Sequence, residues 1–285
     1  MPTSPDDLAT AACAADVEIN TILHQTDKTV LGKGTRAGQP VAVKFLLDTD
    51  PFWAAKWRHE LEIYQVFART PPPVRVPRLV DTDNARLMVL EWVDGTPVDT
   101  DRYPQQPITE HHAEMILSSV AALHRWQAPL KAFEVIFDYA DRFRRYHTLG
   151  YLGDADHDVL QRLLATTGQP DQLNHGDPLA SNILLDDRDQ VTLLDWEFAG
   201  LFLPGFDLAM LHTQLGAHTP QIKSHIDTSV AEAGIETPFV LNLVTVLTRE
   251  LRIHRELPEN PLRATRLPLI ETAWSQVQQR LHQLG

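Results

Sequence analysis

With a single cysteine, Cys13, the chain of 285 residues cannot form an intramolecular disulfide, which points to a reducing compartment. No apolar run reaches bilayer-spanning length. The first residues, Met1 to Asp7, carry acids and no basic cluster, so no secretory leader is expected. Basic residues are also scarce: 25 Lys and Arg stand against 38 Asp and Glu, for a net charge of −13. Proteins that grip nucleic acid need a basic surface to displace counterions, so that class of partner is excluded. Repeats and low-complexity tracts are missing, and Pro71-Pro72-Pro73 is a short stiff connector rather than a linker. These absences imply a cytoplasmic protein with no membrane or nucleic-acid partner; a monomer or homodimer is the expectation for its assembly.

What is present is 43% hydrophobic residues, enough for one large core or two modest ones. The acidic balance favours a cationic small molecule, because a negatively lined cleft concentrates positive charge.

The most informative stretch runs Asn174-His175-Gly176-Asp177-Pro178-Leu179-Ala180-Ser181-Asn182-Ile183-Leu184-Leu185, followed by Leu193-Leu194-Asp195-Trp196-Glu197. Two carboxylates and a carboxamide stand at fixed offsets, Asp177, Asn182 and Asp195. Phosphoryl transfer needs such a set: one carboxylate to orient a hydroxyl and accept its proton, and an amide oxygen with a second carboxylate to hold Mg2+. Hard oxygen ligands suit Mg2+ and would serve zinc or copper poorly. Ile183-Leu184-Leu185 and Val191-Thr192-Leu193-Leu194 flank the polar Asp186 to Gln190, a hairpin pattern. Asn182 precedes its first strand and Asp195 follows its second, so the hairpin is expected to bring both within reach of one ion. The competing reading is a surface hairpin whose Asp and Asn only make turns.

The segment resembles the catalytic and metal-binding loops of the aminoglycoside phosphotransferase family, which shares the protein-kinase-like fold and includes choline kinases. His-Gly-Asp and Asp-Trp-Glu stand where protein kinases carry His-Arg-Asp and Asp-Phe-Gly, which argues against a protein substrate. The resemblance implies an α+β, bilobal fold. A small β-rich lobe at 1–93 would bind nucleotide, and a larger helical lobe at 94–285 would hold the catalytic loops and acceptor pocket. Its co-substrate would be ATP or GTP with Mg2+.

Within the first lobe, Val41-Ala42-Val43-Lys44 matches the kinase strand whose lysine reaches the α- and β-phosphates. A lone strand lysine is otherwise a solvated edge charge. The helical period from Phe52 to Phe67 carries Glu60 where the family's lysine-pairing glutamate falls, with Glu62 as fallback. Two readings of the phosphate loop stand open. One takes Gly32-Lys33-Gly34-Thr35-Arg36-Ala37-Gly38 as a glycine-rich loop. The other makes Thr29 to Arg36 a strand, Ala37 to Pro40 its turn, and His24 to Thr29, with Thr26 and Lys28, the nucleotide loop. Val74 to Val80 and Arg86 to Gly95 read as strands, the second resembling the hinge whose main chain near Glu91 and Val93 would bind the purine.

In the second lobe, His111 to Gln127 is an amphipathic helix with a packed His124 near its end. The resemblance gives His175 a bracing role and makes Asp207 an acceptor for the catalytic-loop backbone. Glu197 could approach the metal, a substrate ammonium or an ion-pair partner. Helices from Phe239 to His254 and from Leu267 to Leu284 complete the lobe, and Glu250, Glu256 and Trp274 are candidates for lining the acceptor pocket. The expected activity is transfer of a γ-phosphate to a hydroxyl of a small cationic molecule, an antibiotic being the family default. The alternatives are a choline, sugar or other metabolite kinase, or a catalytically silent nucleotide-binding protein.

Overall fold

The structure is a computed structural model that describes residues 5–256, 258 and 261–285. The elements run α1 (Pro5–Ala14), β1 (Val17–Gln25), β2 (Thr29–Arg36), β3 (Gln39–Leu46), α2 (Pro51–Arg69), β4 (Leu79–Thr82), β5 (Leu87–Glu91) and β6 (Thr96–Pro97). They continue with α3 (Glu110–Arg125), α4 (Tyr139–Thr148), α5 (Asp154–Thr166), β7 (Gln172–Asn174), β8 (Ile183–Leu185), β9 (Val191–Leu193) and β10 (Gly200–Phe202). Four helices finish the chain: α6 (Phe206–Gln214), α7 (Pro220–Ala233), α8 (Glu236–Glu256) and α9 (Pro261–Leu284). Among the described residues, no helix is long and apolar enough to cross a membrane.

The chain forms two compact units, one of residues 1–96 with 184–199, the other of 97–183 with 200–285. The sequence reading cut the chain once, after residue 93; here the hairpin and Asp195 group with the amino-terminal residues.

In the first unit a five-stranded antiparallel sheet has the order β1-β2-β3-β5-β4. Its core is Val17, Val30, Val41, Val43, Phe45, Leu87 and Val89, packed with Leu8 and Ala12 of α1. β-branched residues at alternate positions place that face inward and leave the intervening residues to the other side. Helix α2 starts where Asp50 accepts the Phe52 N–H at 2.8 Å and Pro51 fills the first helical position. Its buried stripe includes Trp57, Glu60, Leu61, Tyr64 and Phe67.

The Val74–Val80 run is strand only from Leu79 on, with Arg75 making an isolated parallel bridge to Thr192. Pro77 has no N–H to give a ladder, so regular pairing starts after it. Gly32 and Gly34 lie inside β2, paired to β1 on one side and β3 on the other, which corrects the glycine-rich-loop reading. A Cβ at Gly34 would sit 2.7 Å from the Glu18 carbonyl oxygen, so that glycine admits a close neighbouring strand. The turn falls at Ala37-Gly38, with φ of 48° and 77°, as the second reading has it.

The second unit is mainly helical. Helix α3 is capped by Thr109, which accepts the His112 N–H at 3.1 Å. Helix α8 is buried almost continuously from Phe239 to Thr248, as befits a central helix. An aromatic group of Phe137, Phe202 and Phe206 packs with Phe137–Phe202 and Phe202–Phe206 centroids 5.1 and 4.2 Å apart. The short β7 and β10 pair antiparallel and frame the loop that follows Asn174.

Candidate active site

In the first unit, β3 delivers Lys44 and α2 delivers Glu60 to one point. The Lys44 Nζ lies 2.6 Å from Glu60 Oε2 and 2.7 Å from Asp195 Oδ1. Glu60 is 1% exposed, so its charge persists only with a partner. Burial alone would strip the proton from Lys44, but Asp195, Glu60 and Glu197 together hold its pKa well above the ordinary lysine value. The ammonium therefore keeps its proton at neutral pH. Glu62 is exposed.

Asp195 follows β9 with a left-handed φ of 63°, a conformation costing a non-glycine residue about 1 kcal/mol or more. Its neighbour Trp196 is fully buried, donates through Nε1 to the Leu193 carbonyl at 3.1 Å, and meets the Phe67 ring edge-on at 4.7 Å. That anchor, with Lys44, fixes the carboxylate. Carboxylate oxygens of Glu60, Asp195 and Glu197 lie within 4.8 Å of one another. The Asp195 side chain is 39% exposed, so this group of hard oxygens is reachable from solvent.

The β1–β2 turn closes on itself. Thr26 Oγ1 accepts the N–H groups of Lys28 and Thr29 at 3.1 and 3.0 Å, and the Lys28 ammonium rests over the Trp53 ring at 3.7 Å. At the end of β5, Glu91 donates its backbone N–H to the Arg78 carbonyl and accepts from the Arg78 guanidinium at 2.8 Å, while Val93 is buried.

In the second unit, the loop after β7 is built around Asp207 at the start of α6. This fully buried carboxylate accepts the backbone N–H groups of His175 and Gly176 at 2.7 and 2.9 Å. Its own N–H donates to the Asn174 side chain at 2.9 Å, and His124 Nε2 lies 3.5 Å from it. Gly176 adopts a φ of 84°, which any Cβ would strain. His175 Nδ1 accepts the Asp177 N–H at 3.3 Å, and Asn182 donates to the Asp177 carbonyl at 3.0 Å. Asp177 is thus held from both sides by its own loop. Its Oδ1 lies 3.9 Å from Arg249 Nη1 on α8.

A lysine clamped between two carboxylates in the first unit, and a braced aspartate with an amide five residues on in the second, are residue types that phosphoryl transfer uses. The model of the phosphotransferase enzyme family (APH) matches residues 34–233. The chain belongs to this family. Searching the curated proteins gave no match. Among solved structures, this phosphotransferase is similar to a thermostable mutant of aminoglycoside phosphotransferase APH(4)-Ia in ternary complex with AMP-PNP and hygromycin B. That likeness has a TM-score of 0.65 at 13% identity and covers 98% of each chain. Macrolide 2'-phosphotransferase MphH from Brachybacterium faecium gives 0.63 at 16%, covering 94% of this chain and 98% of that one. A GDP and kanamycin complex of APH(2")-IIia gives 0.61 at 14%, covering 95% and 97%. At such identities the likeness shows the fold, which is α+β and protein-kinase-like.

Two of the residues considered for the acceptor pocket are buried in the phosphotransferase, and the third is paired on its surface. Glu250 is fully buried, bound by Arg102 at 2.8 Å and by the Tyr103 hydroxyl at 2.9 Å. Trp274 is buried, and Glu256 pairs with Arg252 at 3.0 Å. The residue that sequence reasoning passed over is Arg249, beside Asp177. The spacing of Arg249, Arg252 and Arg255 along α8, three residues apart each time, was the available signal.

Proposed function

We propose that this phosphotransferase moves the γ-phosphate of ATP or GTP to a hydroxyl of a small molecule. The observation that carries the reading is the Lys44 ammonium held at once by Glu60 and Asp195. A lysine so fixed is a charged clamp for phosphate oxygens, with Glu60 setting its direction. Thr26 and Lys28 would bound the nucleotide at the β1–β2 turn, and the main chain around Glu91 and Val93 would take the base edge. Asn182 and Asp195 are the proposed Mg2+ ligands. Hard carboxylate oxygens grouped within 4.8 Å fit such an ion, and Glu197 belongs to that group more readily than to the acceptor. When bound, Mg2+ would neutralise charge on the transferring phosphoryl group.

The chain's own residues supply the rest. Asp177 orients the acceptor hydroxyl and takes its proton as the oxygen–phosphorus bond forms. The bond from the γ-phosphorus to the bridging oxygen breaks, and the nucleoside diphosphate leaves with that oxygen's charge. His175, Asn182 and Asp207 keep the Asp177 backbone in place, so catalysis comes from positioning and charge stabilisation.

Asp177→Ala is expected to lower kcat at least about 1,000-fold while changing nucleotide affinity less than about threefold. Steady-state turnover and nucleotide titration on the same preparation check this. Turnover retained in the variant would remove Asp177 from its role; nucleotide bound but never transferred by the wild type would favour a catalytically silent protein.

A further inference from the structure

Two lysines stand on one face of the sheet in the first unit, and only one of them has a carboxylate. Residues directly opposite one another on a ladder point to the same side. Lys44 therefore shares its side with Leu31 of β2 and Met88 of β5. The next row, nearer the end of β5, reads Lys33, Ala42 and Leu90. The opposite side of the sheet is the core of Val30, Val41, Val43 and Phe45. Lys44 is held by Glu60 and Asp195. Lys33, half-buried, makes no hydrogen bond or ion pair among the described residues.

Its ammonium rests instead over the Trp92 ring, 4.0 Å from the centroid. Trp92 follows Glu91 at the end of β5, and its Nε1 donates to Asp94 Oδ1 at 2.8 Å, which pins the indole. Sheet order puts β3 between β2 and β5, and the β3 residue in this row is Ala42, whose methyl group leaves the span open. The indole face attracts the cation but accepts no conventional hydrogen bond, so the three N–H donors of Lys33 have no protein acceptor.

Leu31, Ala42, Met88 and Leu90 offer a purine only apolar surface, which does not tell one base from another. Lys33 does. Guanine carries acceptors at N7 and O6, whereas adenine keeps N7 and puts an amino donor at position 6. An ammonium has donors alone, so it attracts the first pattern and opposes the second.

We infer that Lys33 is a specificity-determining residue for the nucleotide, donating to the 6-oxygen and N7 of guanine, and that GTP is the preferred phosphoryl donor. This rests on the phosphotransferase reading with the main chain around Glu91 and Val93 at the base edge. Trp92 stands between those two residues, so an ammonium on its ring is at the base end of the sheet. Lys44, one row farther from that end, is at the phosphate end. Trp92 holds the lysine in position before a nucleotide arrives, and Asp94 holds the indole.

Calorimetric titration of the whole chain with Mg2+ and nucleoside triphosphates tests this without an acceptor. GMP-PNP is expected to bind at least about tenfold tighter than AMP-PNP. Inosine triphosphate keeps the 6-oxygen and lacks the 2-amino group; it should bind within about threefold of GTP. The 2,6-diaminopurine triphosphate keeps the 2-amino group and carries an amine at position 6, and it should fall with ATP. Lys33→Met should bring GMP-PNP and AMP-PNP within about threefold of each other, chiefly by weakening GMP-PNP. Lys33→Arg, which keeps charge and donors, should retain part of the preference. The analogue series on the wild type decides the matter even if Lys33→Met fails to fold.

AMP-PNP bound as tightly as GMP-PNP, or the diaminopurine nucleotide following GTP, overturns the inference and leaves the phosphotransferase reading standing. So does a Lys33→Met variant with the wild-type ratio, which would make the Lys33–Trp92 contact purely structural. Binding of no nucleotide at all overturns both.

Discussion

Lys44 carries its charge into a place that water barely reaches, and Glu60 is the reason it can stay there. Removing the lysine strands a carboxylate that is almost wholly buried, at a cost of about 3 kcal/mol. Burial holds the Glu60 pKa above its unfolded value even beside Lys44, and without that partner it rises further. The stability so lost is therefore regained as pH falls and protons neutralise the acid, and is missing as pH rises. Lys44→Met should show urea midpoints well below wild type at pH 8 and a smaller gap at pH 5. An equal gap at both values would mean that Glu60 is charged and otherwise compensated. At this scale the sequence spoke unevenly. Val41-Ala42-Val43-Lys44 and His175-Gly176-Asp177 are local strings whose chemistry can be read from residue type and spacing. Arg142 is not: nothing in Arg142-Phe143-Arg144-Arg145 tells which guanidinium is turned inward, because helix neighbours and the Phe137 ring decide that.

Elements show the same division between local and distant causes. The strands around Lys44 follow from alternation, and the β2–β3 turn from Ala37-Gly38, so the sheet was readable in outline. The part of the 74–80 run outside β4 was not, because an isolated bridge to Thr192 over a hundred residues away replaces a ladder there. Asp207 holds the loop at His175 and Gly176 across more than thirty residues of chain, a link only the family resemblance exposed in advance. The packing of α6 with α7 has a consequence for acid stability. His212 on α6 is pushed down to about 4 by burial and then by Lys223, with Arg280 adding to it. The imidazole is neutral in the folded protein, while in the unfolded chain it takes a proton below about 6.5. Stability is thus lost progressively as pH falls from about 6.5 to about 4, by about 3 kcal/mol from this group. His212→Gln should gain on wild type over that window in pH-dependent thermal or urea unfolding. Curves that stay parallel would show that burial and the cations around it do not keep the ring neutral in the folded protein.

At the scale of the whole molecule, the net charge of −13 and the Arg249 guanidinium 3.9 Å from Asp177 act over different distances. Long-range potential follows the total and repels nucleotides and anionic acceptors alike, whereas binding follows the few groups in contact. Salt separates the two effects. The Debye length shrinks from about 30 Å at 0.01 M to about 8 Å at 0.15 M, which screens the global charge but leaves a 3 to 4 Å ion pair largely intact. Raising salt over that range at fixed Mg2+ should increase kcat/KM severalfold for the nucleotide and for an anionic acceptor. For a cationic acceptor the same titration lowers kcat/KM, because screening removes an attraction instead of a repulsion. A falling acceptor curve beside a rising nucleotide curve would identify a cationic acceptor. Two rising curves would place the attraction in short contacts, with the acidic surface as a barrier that the substrates cross.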